Sequence, residues 1–220
     1  MGDSLKWFVD NCFPAAYAQA AKEMGLDENQ YLTYLANQLK PGQSGLLALD
    51  WWNGNRSILC DYDLTGMIVG LTIASKAEEI YRALIEATAY GTRRIVDSFE
   101  ENGLPVEHVF ACGGISKKNA MFMQIYADVL NRDIRIARSS QTPALGSAIF
   151  GAVAAGSQAG GYDSVETAAH TMGGTSSTVY HPITENVEIY KDLYSEYLIL
   201  HDYFGRGENN VMKRLRKYRD

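Results

Sequence analysis

Gly113 and Gly114 stand between a short apolar run and a helix start, in the stretch Ala111-Cys112-Gly113-Gly114-Ile115-Ser116-Lys117-Lys118-Asn119. Without Cβ atoms, two adjacent glycines permit a backbone shape and a closeness of approach closed to other residues. The helix start turns unpaired N–H groups and the positive end of its dipole toward the gap. Such a corner suits a nucleotide, although the same pattern alone is also an ordinary tight turn. A second concentration of reactive groups is Asp50-Trp51-Trp52-Asn53-Gly54-Asn55-Arg56, which packs indoles, amides, a carboxylate and a guanidinium into seven residues. A loop of this kind on a rigid scaffold can line a cleft, through Asp50, Trp52, Asn55 and Arg56. Equally, Asp50 can pair with Arg56 as a structural clasp.

Other chemistries find no support. His108, His170, His181 and His201 form no i, i+4 pair and no H-E-x-x-H, so no metal site is expected. There is no G-x-S-x-G nucleophile elbow and no G-x-x-x-x-G-K-[ST] phosphate loop. The acid pairs Glu78-Glu79 and Glu100-Glu101 sit at helix ends and read as solvated charge. Cys12, Cys60 and Cys112 are an odd number at wide spacing, which fits reduced thiols better than disulfides or zinc, each expected as a buried small hydrophobe.

Composition narrows the partners. The 220 residues are 46% hydrophobic and 21% charged, enough to bury a core. A formal charge of -6 argues against nucleic acid or a membrane surface, since both are anionic. The first residues carry acid and aromatics where a secretory signal wants a basic start, and no run approaches the ~18 apolar residues of a span. The expectation is a soluble cytoplasmic chain.

The elements that would hold these groups follow from periodicity. Residues 4–39 read as helical, with apolar stripes Leu5, Phe8, Val9 and Tyr31, Tyr34, Leu35, Leu39. A turn at 41–45 leads to strands at 46–49 and 57–60, then an apolar run at 67–71. A long helix over 76–102 has Ser75 and Glu78 as its capping box, Gly103 as its stop, and one buried side carrying Ile80, Leu84, Ala87, Gly91 and Ile95. A strand at 108–111, the glycine corner, a helix over 117–130, a strand at 133–137 and a helix from Thr142-Pro143 to about 155 complete an α/β layered order.

In that last helix Gly146 and Gly151 each cost roughly 1 kcal/mol relative to alanine, which favours close helix packing over ligand contact as the reason for them. Residues 185–203 read as a surface helix. The basic tail from Arg206 reads as an amphipathic closing helix packed through Val211, Leu215 and Tyr218.

Gly66-x-Ile68-x-Gly70-Leu71, then after seven residues Glu79-Ile80-Tyr81-Arg82-Ala83-Leu84-Ile85-Glu86, resembles the second signature of the FGGY carbohydrate kinases. Leu84 is the one loose position. Gly113-Gly114-Ile115 with the run Asn119 to Leu130, and Thr142-Pro143-Ala144-Leu145-Gly146-Ser147-Ala148, are similar to further blocks of that family. The loop at residues 49–56 is most similar to its L-ribulose-phosphorylating branch.

The resemblance implies the C-terminal half of a two-domain sugar kinase, an actin-like, ribonuclease-H-like ATPase domain. It divides into a helical lead-in at 1–45, an α/β nucleotide-binding core at 46–160 and a mostly helical closing segment at 161–220. It also implies ATP with Mg²⁺ as cofactors, a ketopentose as partner substrate, and a preceding sugar-binding domain that lies outside this chain and holds the proton-accepting aspartate. A homodimer is left open. By position, Gly113 and Gly114 match glycines that lie against adenosine, Asn119 lies beside a family amide near adenine, and Ser116 and Lys117 are helpers. The rival reading is a non-catalytic, actin-like ATP-binding or regulatory module, which would share the glycine corner.

Overall fold

The structure, a computed structural model, describes residues 2–218. In chain order it contains α1 (Gly2–Cys12), α2 (Ala18–Glu23), α3 (Glu28–Ala36), β1 (Leu47–Leu49), β2 (Met67–Val69), α4 (Ala77–Glu101), β3 (Val109–Ala111) and α5 (Gly114–Lys118). Then come α6 (Ala120–Leu130), β4 (Ile134–Ala137), α7 (Thr142–Ala155), α8 (Val165–Met172), β5 (Thr175–Tyr180), α9 (Thr184–Gly205) and α10 (Val211–Arg216). Contacts divide these into two compact units. One holds the chain up to Val106, Asp128–Asn131 and everything from Pro182; the other holds Glu107–Ala127 and Arg132–His181.

The first unit is organised around α4. Every residue from Tyr81 to Tyr90 is buried, so this helix is enclosed all round rather than on the one side its spacing suggests. Ala83, Ala87 and Ala89 are what allow it, since small side chains on the remaining faces let α1, α3, β1 and α9 approach together. Its start also differs from expectation: Glu79 Oε2 accepts from the Lys76 amide at 2.8 Å, while Ser75 Oγ accepts from Thr72 N and closes the preceding turn. Gly103, at φ +79°, follows its end as expected.

The expected helical stretch 4–39 is three helices, broken after Cys12 by Pro14 and after Glu23 by Gly25 at φ +68°. Asp27 and Gln30 form a reciprocal capping box on α3. Tyr31 is buried as expected, whereas Tyr34 lies on the exposed side and Leu32 and Ala36 are buried with Tyr31. β1 pairs antiparallel with β2, Leu47 opposite Val69. Residues 57–60 are therefore not a strand but a bend, with Ile58 at φ +80° and Cys60 at φ +50°.

α9 is a helix as expected, but three of its four tyrosines face inward, Tyr203 remaining exposed. Tyr190, Tyr194 and Tyr197 recur at intervals of four and three and are buried with His201. The ring of Tyr90 meets all three, and the Arg93 guanidinium lies 4.3 Å over Tyr194. The tail does not pack through its apolar stripe: Leu215 and Tyr218 are exposed, and α10 is held by buried Met212 and by the pairs Lys213–Asp61 and Arg216–Asp63.

The second unit carries a three-stranded sheet, order β3-β4-β5, with β3 parallel and β5 antiparallel to β4. Ile134 and Ile136 are buried on one face, and Phe110 stands opposite Arg135 on the other, both exposed. The helix expected over 117–130 is two helices, because Asn119 is extended at φ −129° and ψ 92°. α7 contains no buried residue, and a Cβ built on Gly146 or Gly151 would meet nothing within 4 Å. Among the described residues, close packing does not account for those glycines. Likewise Cys12, Cys60 and Cys112 are free thiols but exposed, not small core residues.

Candidate functional site

In the second unit, β3 delivers the chain into the glycine corner. Gly113 takes φ +92° and ψ −179°, a conformation essentially reserved for glycine, and Gly114 opens α5. A Cβ on either glycine would meet nothing within 4 Å. Internal packing is therefore not what keeps side chains off this corner, since the space where a side chain would stand is open. No side chain caps α5.

The neighbours expected to help have definite places. Ser116 is buried and its hydroxyl donates to the Gly113 carbonyl at 2.9 Å, bracing the bend from inside. Lys117 is exposed, and its ammonium reaches the Arg138 carbonyl at 2.7 Å. Asn119 Oδ1 accepts from the Phe122 amide at 2.9 Å and so caps α6. The corner thus gathers Gly113, Gly114, Ser116, Lys117 and Asn119, of which Gly114 and Lys117 are exposed and Ser116 is buried.

The loop at 50–56 lies in the first unit and is firmly built. Asp50 does not pair with Arg56: its Oδ1 accepts from the Tyr197 hydroxyl at 3.3 Å, and its Oδ2 lies against Gly91, 2.9 Å from where a Cβ would stand. Burial pushes the Asp50 carboxyl up to about 6, against the Tyr197 hydrogen bond, which favours the charged form. Trp51 is fully enclosed, edge-on to His201 at 5.5 Å. Among the described residues Trp51 Nε1, Tyr90 OH and His201 Nε2 are buried without a hydrogen-bond partner. Burial also lowers the His201 pKa, while Asp202 on its Nδ1 works the other way.

Asn55 exchanges two backbone hydrogen bonds with Asp61 at 2.8 Å, and its side chain accepts from Leu59 N. Gly54 sits where a Cβ would strike the Tyr62 backbone.

The signature residues are mostly scaffold. The Trp52 ring occupies the space a Cβ on Gly66 would need, and Gly70, at φ +97°, gives way to the Gly45 carbonyl. Arg82 and Glu86 form a buried pair at 2.8 Å. Arg82 also donates to the carbonyls of Ala36 and Leu39 and to Tyr190 OH, which donates in turn to Glu86. Glu86 is raised by burial, with Arg82 opposing, and its contacts are all internal, so its role is to join α3, α4 and α9.

Among the described residues no group of three His, Cys, Asp or Glu is placed to hold a metal. Among the described residues no helix is long and apolar enough to cross a membrane. A shallow concavity lined by Val9, Ala21, Lys22 and Leu26 shares no residue with either candidate site. Sequence reasoning missed Tyr197, His201 and Trp7, whose ring lies 5.9 Å from that of Trp52. The spacing of the α9 tyrosines was the available signal for the first two.

Residues 1–155 match the model of the FGGY family of carbohydrate kinases, C-terminal domain. A ribulokinase of Geobacillus thermodenitrificans is 55% identical over 220 residues, 100% of this chain and 39% of the relative. A ribulokinase of Halalkalibacterium halodurans is 57% identical over 216 residues, 98% of this chain and 38% of the relative. This chain therefore spans about two fifths of the length of the curated relatives it matches. Among solved structures, a ligand-bound xylulose kinase from Lactobacillus acidophilus superposes with a TM-score of 0.75 at 20% identity, over 91% of this chain and 37% of its own. A gluconate kinase from the same organism gives 0.76 at 21% identity, over 93% and 38%. At that identity these two speak for the fold alone.

Proposed function

This chain belongs to the FGGY family of carbohydrate kinases, and we propose that it forms the nucleotide-holding part of an ATP-dependent kinase acting on a ketopentose, most specifically L-ribulose. Its α/β fold is that of the family's actin-like C-terminal domain. The observation that carries the nucleotide assignment is the corner at Gly113 and Gly114, where nothing within 4 Å opposes a Cβ. An adenine nucleotide fits such a place, because a planar base can lie against bare backbone and anionic groups are drawn to unpaired N–H groups. Bound there, ATP supplies the phosphoryl group that a sugar hydroxyl accepts.

In this reading Gly113 and Gly114 lie against the adenosine, Ser116 keeps the bend in shape from beneath, Asn119 fixes the start of α6 beside the base, and Lys117 adds positive charge. Mg²⁺ accompanies the nucleotide's phosphates, and none of this chain's carboxylates is assigned to it. The proton-accepting carboxylate is also assigned outside this chain, as the family resemblance implies; Glu86 and Asp50 here are bonded to Arg82 and Tyr197. The ribulokinase naming of the relatives favours an enzyme over a non-catalytic module. Calorimetry of the full-length protein with a non-hydrolysable ATP analogue, with ADP release measured on L-ribulose, tests the reading. Micromolar to millimolar nucleotide binding with ketose-dependent ADP release is expected, and neither on a properly folded protein would overturn it.

A further inference from the structure

The loop at 50–56 divides its side chains between two jobs. Asp50, Trp51 and Asn55 are used inside the fold, through Tyr197, the α9 packing and the bridge to Asp61. Asn53 and Arg56 do nothing of the kind: both are exposed, and neither side chain makes a hydrogen bond or ion pair within the described structure. Beside them Trp52 is half-buried, its ring laid on Gly66, and Trp7 arrives from α1, 44% exposed and inclined at 54° to it. A well-fixed turn thus leaves an amide and a guanidinium exposed beside the Trp52 and Trp7 rings, without needing the amide or the guanidinium for its own stability.

We propose that Trp7, Trp52, Asn53 and Arg56 form the patch with which this chain recognises the sugar. The indoles receive the apolar C–H side of a polyhydroxylated ketose, and the Asn53 amide and Arg56 guanidinium hydrogen-bond its hydroxyl oxygens. Carbohydrate suits this set better than a purely apolar or a purely anionic ligand, because it offers both a C–H surface and closely spaced neutral acceptors. The inference rests on the kinase reading above and deepens it: Asp50 and Asn55 leave the list of sugar-facing candidates, while Asn53 and Trp7 enter it.

The test uses the full-length protein and the variants Arg56→Gln and Asn53→Ala, with L-ribulose as probe in calorimetry without nucleotide and in steady-state turnover. Each variant is expected to weaken ketose binding and raise its KM at least tenfold, with the KM for ATP and the melting temperature unchanged, because neither side chain supports the fold. Trp7→Ala is expected to act in the same direction. Unaltered ketose affinity in both polar variants of an active enzyme would overturn this inference alone. Wild-type protein that neither binds nor phosphorylates a ketopentose would overturn the kinase reading, and this inference with it.

Discussion

The Asp50 carboxylate accepts its hydrogen bond from Tyr197, 147 positions further along the chain. That contact fastens the loop carrying Trp51 and Trp52 to α9, while Gly91 of α4 leaves the room for it. It also bears on the electrostatic character of the loop, because desolvation of the Asp50 carboxyl outweighs its backbone and Tyr197 hydrogen bonds and so opposes ionisation.

This yields a pH signature. Enclosure raises Asp50 from 3.8 to about 6, so the fold penalises its charged form. The sign is that wild-type stability gains from this group when pH falls below about 6 and loses it as pH rises through that value. A shift of this size corresponds to about 3 kcal/mol. Asp50→Asn should therefore be more stable than wild type at pH 7.5 by up to that amount, with the difference vanishing near pH 4. His201 works in the opposite sense, since its lowered pKa makes protonation costly, but it is common to both proteins. Urea unfolding at the two pH values measures the difference, and a pH-independent gap would refute the assignment.

At the glycine corner the two glycines should respond differently. Gly114 is the first residue of α5 and a Cβ there meets nothing, so Gly114→Val should keep the full-length protein's melting temperature within a few degrees. Its side chain would stand where the nucleotide is proposed to lie, and calorimetry should show at least a tenfold loss of ATP-analogue affinity. Unchanged affinity would remove Gly114 from the nucleotide site. Gly113→Ala should cost about 1–3 kcal/mol of stability as well, because of its φ of +92°.

The Arg82–Glu86 pair offers a test of the signature as scaffold. Glu86→Ala strands a buried guanidinium and should lower stability by about 3–5 kcal/mol, whereas Glu86→Gln keeps an acceptor and should cost less. Chemical denaturation of all three proteins gives the order. A stable Glu86→Ala protein with abolished turnover would instead point to a direct role in the reaction.

The 220 residues on their own should bind adenine nucleotide weakly and show no ketose-dependent ADP release, since the proton-accepting carboxylate is assigned outside them. Positioning can lower a barrier by roughly 7–11 kcal/mol only when both reactants are held. Turnover by the purified 220-residue protein, free of host kinase, would contradict this.

Local features were legible from residue order alone. Gly103 after α4, the glycine-specific backbone at Gly113 and the start of α7 near Thr142-Pro143 are set by neighbours a few positions apart, where steric rules act directly. The family, too, was readable in Gly66 to Glu86 and in Gly113-Gly114. What no local rule contains is the partner of a side chain far along the chain. Tertiary structure alone decided that Asp50 answers to Tyr197 rather than Arg56, that Glu86 is enclosed with Arg82 and Tyr190, and that Tyr190, Tyr194 and Tyr197 of α9 face inward. It also exposed all three cysteines, since thiol burial depends on which elements happen to cover them and not on the thiol itself. Periodicity states how many faces of a helix are apolar; only the assembled fold determines how many are covered, as the fully enclosed middle of α4 and the uncovered α7 show from opposite sides.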